Sequence, residues 1–154
     1  MSDVKYLKEM ETLFMALADK TRLRLLNLMA ETEVCVWFFT EVLGDSQPKI
    51  SRHLAYLRNA DLVEARRDGK WMHYSIRWPE DEGLRSVLRA TLTAMADDPE
   101  MLTDRANYEN VCCTPELLVQ IAKTPIDFIS SKADVYEPSV SRPASHNDLD
   151  EFLL

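Results

Sequence analysis

The sequence predicts a mainly helical domain that carries one β-hairpin. Apolar residues recur at helical spacing through most of residues 4–110, whereas residues 70–76 alternate apolar and polar side chains after an Asp68-Gly69 pair. An Asp-Gly pair between two short strand-like runs is a strong hairpin signal. A basic amphipathic helix is predicted immediately before this hairpin, and that succession is typical of a winged helix-turn-helix fold.

Three helices are predicted before the basic segment. The first covers about residues 4–17, and its apolar stripe consists of Leu7, Met10, Phe14 and Leu17. The second begins at Asp19, a good N-cap residue, and its apolar residues are Leu25, Leu28 and Met29. A third, short helix covers about residues 37–43. It ends at Gly44, whose freedom at positive φ suits the turn into the next helix.

The basic helix begins after Ser46, which stands where an N-cap belongs. Pro48 is tolerated in its first turn because the amide that proline lacks would be unpaired there. The core stripe of this helix consists of Ile50, Leu54 and Leu57. The opposite stripe is basic and hydrogen-bonding, and consists of Lys49, Arg52, His53 and Tyr56. An isolated segment of this kind would more often be a solvated surface helix, but the hairpin that follows favours a DNA recognition helix.

The hairpin has one apolar face and a basic tip. In the returning strand, the apolar face consists of Met72, Tyr74 and Ile76, and the other face consists of Trp71, His73 and Ser75. The cations of the tip are Arg66, Arg67 and Lys70. We therefore expect DNA contacts from the helix through Gln47, Lys49, Ser51, Arg52, His53 and Tyr56, and from the wing through Arg66, Arg67 and Lys70.

At this point the sequence resembles the ArsR/SmtB family of metalloregulatory repressors. The resemblance covers roughly residues 10–78, and the matching stretches are residues 16–26, 33–36, 46–63 and 68–76. It implies a winged helix-turn-helix dimer that represses transcription from double-stranded operator DNA, with the first and fifth helices forming the dimer interface. A two-fold pair of reading heads also doubles the contacts available for specific affinity. The sequence has no glycine-rich phosphate loop or nucleophile motif, so we expect no enzyme.

After the wing, Pro79 marks a break, and residues 80–82 place acids in the first turn of a fifth helix. The apolar side of that helix consists of Leu84, Leu88, Thr91, Leu92 and Met95. A further helix is predicted at about residues 99–110, and a weaker helical stretch at 115–123. Because residues 130–154 are rich in Ser, Pro and Asp, we expect that segment to be disordered. The predicted domains are residues 1–111, for DNA binding and dimerisation, and residues 112–154, a cysteine pair with a flexible acidic tail.

The net charge of −8 argues against a nucleic-acid partner until its distribution is considered. Residues 1–78 carry a net charge of +1, and residues 79–154 carry −9. Within residues 46–78 there are seven cations and three acids. The positive field is therefore local to the predicted reading helix and wing, which favours oriented binding to DNA.

The predicted chemistry lies in Cys112 and Cys113. Two adjacent soft thiolates can capture a thiophilic ion, and trivalent arsenic or antimony suits them. Cys35 matches the first cysteine of the family's Cys-Val-Cys arsenic motif, but Trp37 stands in place of the second. The chain therefore resembles family members that carry the arsenic site on cysteines near the C-terminus. Cys35 is either a third ligand or a buried packing residue; without it, the pair suits a monomethylated or aryl arsenical.

Other ligands and other signals are less favoured. The family's zinc sites use histidine on the fifth helix, and residues 79–112 contain none. No organic cofactor is expected. An alternative is a redox- or persulfide-sensing repressor of the same fold that uses the same cysteine pair. Because the N-terminus has no signal-peptide layout and no apolar run could cross a bilayer, we expect a cytoplasmic protein without a membrane partner.

Overall fold

The computed structural model describes residues 3–112 and residue 123. The helices in this part of the chain are α1 (Asp3–Leu17), α2 (Lys20–Leu28), α3 (Val36–Leu43), α4 (Gln47–Asn59), α5 (Glu82–Met95) and α6 (Pro99–Cys112). The strands are β1 (Val34–Cys35), β2 (Val63–Asp68) and β3 (Trp71–Ile76). This order of helices and hairpin confirms the predicted winged helix-turn-helix. No helix among the residues described is both long and apolar enough to cross a membrane.

Aspartate side chains fix the starts of α2 and α5. Asp19 is the N-cap of α2, and its Oδ1 accepts a hydrogen bond of 2.9 Å from the backbone amide of Arg22. Asp81 caps α5 in the same way, accepting from the amide of Leu84 at 3.0 Å. The predicted cap at Asp19 is confirmed. The sequence analysis placed the acids of residues 80–82 in the first turn of α5. In the structure Asp81 is the cap, so Glu82 is the acid in that first turn.

The turn between α3 and α4 follows the predicted chemistry. Gly44 ends α3 with φ of 69°, in the left-handed region, and its amide donates to the Thr40 carbonyl at 3.0 Å. Ser46 occupies the N-cap position of α4, although its side chain makes no capping hydrogen bond. The predicted core stripe of α4 is fully buried, and consists of Ile50, Leu54 and Leu57.

The three strands form an antiparallel sheet in the order β1-β3-β2. The hairpin of β2 and β3 was expected, but β1 was not. Pairing of the hairpin continues to Asp68 opposite Trp71, so the two-residue loop is Gly69 and Lys70. This corrects the predicted turn at Asp68-Gly69 by one residue. Gly69 has φ of 59° at the first loop position, as tight hairpin turns with an initial glycine require.

The apolar stripe predicted for α1 divides between core and surface. Leu17 is buried and Met10 is half-buried against the core, where α1 also contributes Leu13 and Ala16. Leu7 and Phe14 instead face outward, with exposed fractions of 70% and 54%. Val4 and Met15 are exposed as well. Helix α1 therefore presents an apolar outer face that its own protomer does not cover.

Helices α5 and α6 close the fold. Helix α5 buries Leu84, Leu88 and Leu92, as predicted, and packs against α1 and α2. Helix α6 follows at Pro99, confirming the predicted helix, and continues to Cys112. The proposed domain boundary after residue 111 falls within its last turn. The helical stretch predicted at 115–123 lies outside the described residues except for Lys123, and the tail predicted at 130–154 lies wholly outside them.

Candidate nucleic-acid interface and cysteine site

Helix α4 presents the predicted basic stripe on its outer side. Arg52 and Tyr56 are exposed, whereas Lys49 and His53 are half-buried. Lys49 Nζ lies 2.9 Å from Oδ1 of Asp45, in the turn before the helix. The two polar residues predicted beside the stripe contact each other, because Gln47 Nε2 donates to Ser51 Oγ at 2.9 Å. Lys49, Arg52, His53 and Tyr56 are a set of donors and acceptors on a single helix face, which is what reading of base edges requires.

An arginine of α2 positions this stripe. The Arg22 guanidinium lies over the Tyr56 ring, 4.0 Å from its centroid. Its Nε and Nη2 donate to the carbonyls of Ala16 and Met15, at 2.7 and 2.9 Å. Arg22 therefore links the end of α1, the start of α2 and the face of α4. The sequence analysis did not assign this role to Arg22. The separation of Arg22 and Tyr56 along the sequence gives no indication that the two side chains meet.

His53 is linked to the same region. Its Nδ1 lies 3.6 Å from Asp19 Oδ1, the atom that caps α2. Burial lowers the pKa of His53 below the ordinary range, against the opposing charge of Asp19. The neighbouring cations lower it further, and they are Arg22, Lys49 and Arg52. His53 is consequently a neutral hydrogen-bonding group at pH 7, held between α2 and α4.

The three cations predicted at the wing differ in their surroundings. Arg66 forms a bidentate pair with Glu33, with Nη2–Oε1 and Nε–Oε2 distances of 2.6 and 3.1 Å. The bond from Arg66 is the main reason why the pKa of Glu33 lies below its ordinary value. Lys70 Nζ lies 4.9 Å from the centre of the Trp71 ring, and Arg67 is exposed.

The two described cysteines lie in different elements. Cys35 is buried in β1, opposite His73 of β3, and burial raises the pKa of its thiol. Cys112 is half-buried in the last turn of α6, where its Sγ contacts the Glu109 carbonyl oxygen at 3.4 Å. Cys113, the other predicted ligand, lies outside the described residues. Over residues 3–112 and 123, no three His, Cys, Asp or Glu side chains converge on a position for a metal ion.

The donor set nevertheless fits a thiophilic ion better than a hard one. A soft ion such as trivalent arsenic prefers sulfur, and Cys112 and Cys113 are consecutive in the sequence, so they offer two sulfurs. The Cys112 thiol is partly accessible, so it can react. Cys35 differs in being buried, and this burial raises the pKa of its thiol, so a bond to it would require removal of its proton within the fold.

Comparisons with known proteins agree with the winged helix-turn-helix fold. The model of the arsR family of bacterial regulatory proteins matches residues 19–65, from the cap of α2 into β2. An arsenic resistance transcriptional regulator of Pseudomonas putida, ArsR2, is 38% identical over 108 residues, covering 65% of this chain and 94% of that protein. The arsenical resistance operon repressor of Escherichia coli is 51% identical over 65 residues, covering 42% of this chain and 56% of that one.

A solved structure shares the fold. The homodimeric winged helix-turn-helix domain of Mb0332 from Mycobacterium bovis superposes with a TM-score of 0.52 at 30% identity, covering 64% of this chain and 89% of that one. The matching family and the curated relatives are transcriptional regulators and not enzymes. The match to the Pseudomonas regulator extends over nearly its whole length. The chain therefore belongs to the ArsR family of DNA-binding transcriptional regulators.

Proposed function

We propose that this protein is a homodimeric repressor that releases its operator when trivalent arsenic or antimony binds Cys112 and Cys113. The observation that carries the proposal is a partly accessible thiol, Cys112, at the end of α6 and directly before a second cysteine. The names of the relatives from Pseudomonas putida and Escherichia coli, both arsenic resistance regulators, support arsenic as the inducer.

Operator DNA would lie against α4 and the wing. In this arrangement Arg52 and Tyr56 reach base edges in the major groove, with Lys49 and His53 beside them. Arg66, Arg67 and Lys70 contact phosphate or the adjacent minor groove. The first set would set sequence preference, and the second would supply affinity that does not depend on sequence.

Dimerisation would use the exposed apolar face of α1. Four large apolar side chains lie on it, namely Val4, Leu7, Phe14 and Met15. Monomeric proteins rarely leave a contiguous apolar patch uncovered, and α5 packs beside α1 and could extend the interface. The homodimer of the Mycobacterium bovis relative supports this assembly. Two recognition helices would then occupy half-sites about one turn of DNA apart.

Release would follow from differential binding. Each arsenic–sulfur bond forms as a thiol gives up its proton and arsenous acid loses a hydroxyl group as water. If the sulfurs converge in one arrangement of the protein and not in the arrangement that spans two half-sites, the ion stabilises the first. A coupling of about 3 kcal/mol would weaken operator binding roughly 150-fold, which is enough to derepress.

Replacing both Cys112 and Cys113 with serine tests the proposal. Operator affinity, measured by fluorescence anisotropy, should stay within about twofold of wild type, and arsenite should no longer cause release. Normal release by this double variant would contradict the sensor. Cys35→Ser is the matched control that also counts ligands. Loss of the arsenite response with a retained response to a methylated arsenical indicates a third sulfur, while no effect on either response confines the site to the pair.

A redox or persulfide repressor is the second candidate, because the same accessible Cys112 could be oxidised. Counting bound arsenic per chain against thiols lost to oxidation separates the two.

A repressor of bacterial operons works beside the chromosome, so we place the protein in the cytoplasm. We also propose that residues 1–111 bind DNA and dimerise, and that residues 112–154 form the cysteine pair and tail.

A further inference from the structure

One aromatic ring on the reading face of α4 is supported by a residue of another helix. Tyr56 is 40% exposed, and the guanidinium of Arg22 in α2 lies over its ring, 4.0 Å from the centroid. This contact covers one face of the ring, while the exposed remainder of the side chain is accessible to a partner. The position of Tyr56 on the reading face therefore depends on where Arg22 is held.

Arg22 is held by the end of α1. Its Nε donates to the carbonyl of Ala16 at 2.7 Å, and its Nη2 donates to the carbonyl of Met15 at 2.9 Å. The last four carbonyls of a helix have no partner within that helix, so they are available to a side chain. Because both acceptors are backbone atoms and the guanidinium is a planar fork, these two bonds fix the plane that lies on the Tyr56 ring.

Helix α2 is a firm support for this arginine. The backbone amide of Arg22 donates to Oδ1 of Asp19 at 2.9 Å, and the same oxygen lies 3.6 Å from Nδ1 of His53 on the reading face. Further along α2, Arg24 donates to both carboxylate oxygens of Asp104 in α6, at 2.7 and 2.8 Å. Asp104 is only 2% exposed. Helix α2 is thus bonded to α6, and its first turn contacts two residues of the reading face.

A second arginine of the fold shows what is particular to Arg22. Arg85, in the first turn of α5, donates from Nε to the carbonyl of Pro79 at 2.8 Å and from Nη2 to the carbonyl of Glu80 at 3.4 Å. It is therefore held, like Arg22, by the backbone that precedes its own helix. Within the described residues, Arg85 lies over no aromatic ring. The contact with a reading residue is what Arg22 adds to this arrangement.

We propose that Arg22 determines base preference indirectly, because it positions the Tyr56 ring before DNA arrives and does not itself contact DNA. The inference rests on the proposed function, since it requires α4 to read operator DNA. A ring that is already fixed loses less conformational freedom on binding, so the matching base pair is bound more tightly. A ring without this support turns to fit several base pairs, and the preference for one of them falls.

Arg22→Lys tests the proposal in the full-length protein. Lysine keeps the charge, but its ammonium cannot hold two carbonyls in a planar fork and stack on a ring. The probes are an operator duplex that the wild type selects from random sequences and a scrambled version of it. Operator affinity should fall about fivefold, while scrambled affinity stays within about twofold of wild type and the salt slope is unchanged. Partial unfolding of the variant would lower both affinities equally, so their ratio measures positioning.

The matched control is Arg85→Lys, which loses the same kind of carbonyl contacts and should keep the wild-type ratio. A double-mutant cycle with Tyr56→Ala separates positioning from packing. In the Tyr56→Ala background, Arg22→Lys should lower operator affinity no further, because the ring through which Arg22 acts is absent. If the loss is the same in both backgrounds, Arg22 acts only by holding α1 and α2 together, and the proposal is wrong.

Arg22→Met tests whether the arginine meets DNA directly. It should lower operator affinity about as much as Arg22→Lys does. A phosphate contact would instead weaken both duplexes alike and reduce the salt slope by about one, which would overturn the proposal. If Arg22→Lys keeps the wild-type ratio while the wild type prefers its operator, this inference fails alone. If the wild type selects no sequence at all, base reading by α4 is wrong and the inference fails with it.

Discussion

Arg66 and Glu33 form a bidentate ion pair that joins the middle of β2 to the residue before β1. Arg66, which was predicted to meet DNA, is therefore held by a carboxylate within the protein. His73 lies on the same side, with its Nδ1 3.8 Å from Glu33 Oε1. The number of wing charges that DNA meets depends on whether this pair opens.

Glu33→Gln should strengthen binding to any DNA sequence, because it removes the carboxylate that holds Arg66 most closely and leaves the longer contact with Asp68, at 3.8 Å. The slope of log K against log salt should become steeper by about one. Anisotropy titrations at several salt concentrations, on operator and scrambled DNA, measure both quantities. Glu64→Gln, an exposed acid on the same sheet, serves as the control. An unchanged slope in Glu33→Gln would mean that Arg66 does not reach phosphate.

Arg52→Ala should lower operator affinity by about 1–3 kcal/mol and relax base preference, because Arg52 lies exposed on the reading face of α4. Lys70→Ala is the matched comparison. It should weaken operator and scrambled DNA alike and reduce the salt slope by about one. Equal specific affinity in Arg52→Ala and wild type would show that α4 does not read bases in this way.

Phe14→Glu should prevent dimerisation, because it places a charge in the exposed apolar face of α1 while leaving the core intact. Sedimentation equilibrium at micromolar concentration should show a monomer. The helix content, measured by circular dichroism, should be unchanged. Thr12→Glu introduces the same charge on the other side of α1 and should remain dimeric. If the Phe14→Glu protein remains dimeric, the dimer interface lies on another surface.

Stability should depend on pH through His53. Its pKa is lowered in the folded state, so the unfolded chain takes up the proton first as the pH falls below about 6.5. His53 therefore contributes nothing to pH dependence above that value, and it destabilises the fold increasingly below it until the folded-state pKa is passed. Between about pH 7.5 and about pH 5.5, His53→Gln should lose less stability than wild type in urea unfolding. If His53→Gln and the wild type lose the same stability over this pH range, the pKa of His53 is not lowered in the folded protein.

Deleting residues 130–154 should leave the dimer and its operator affinity nearly unchanged. The segment is rich in Ser, Pro and Asp and too polar to supply a core. Size-exclusion chromatography and anisotropy of the truncated protein measure the two properties. If the truncated protein is monomeric, the tail packs on the domain of residues 1–111 through Phe152, Leu153 and Leu154.

The local features of this fold were predictable because their causes lie within a few residues. The Asp19 cap, the left-handed Gly44 and the stripe of Ile50, Leu54 and Leu57 each follow from chemistry inside one turn of helix. Strand β1 was not predictable, because its two residues are too few to show an alternation and they become a strand only by pairing with β3.

The partners of the site residues were hidden for a different reason. Arg24 and Asp104 are 80 residues apart in sequence, and Arg66 and Glu33 are 33 apart. A charged residue on a predicted helix face is ordinarily solvated, so nothing in the pattern of α6 distinguishes buried Asp104 from its exposed neighbours. Long-range pairing of charges is set by how the helices pack, and a single sequence does not display it.

The strand order β1-β3-β2 leaves β2 as an open edge, where unpaired backbone groups invite another strand. That edge carries Glu64, Arg66, Arg67 and Asp68, and such charges discourage sheets of separate molecules from joining. The wing cations thus have a second consequence for the colloidal behaviour of the protein. Variants that neutralise Arg66 and Arg67 together would aggregate more readily, and the resulting loss of soluble protein would imitate a loss of DNA binding.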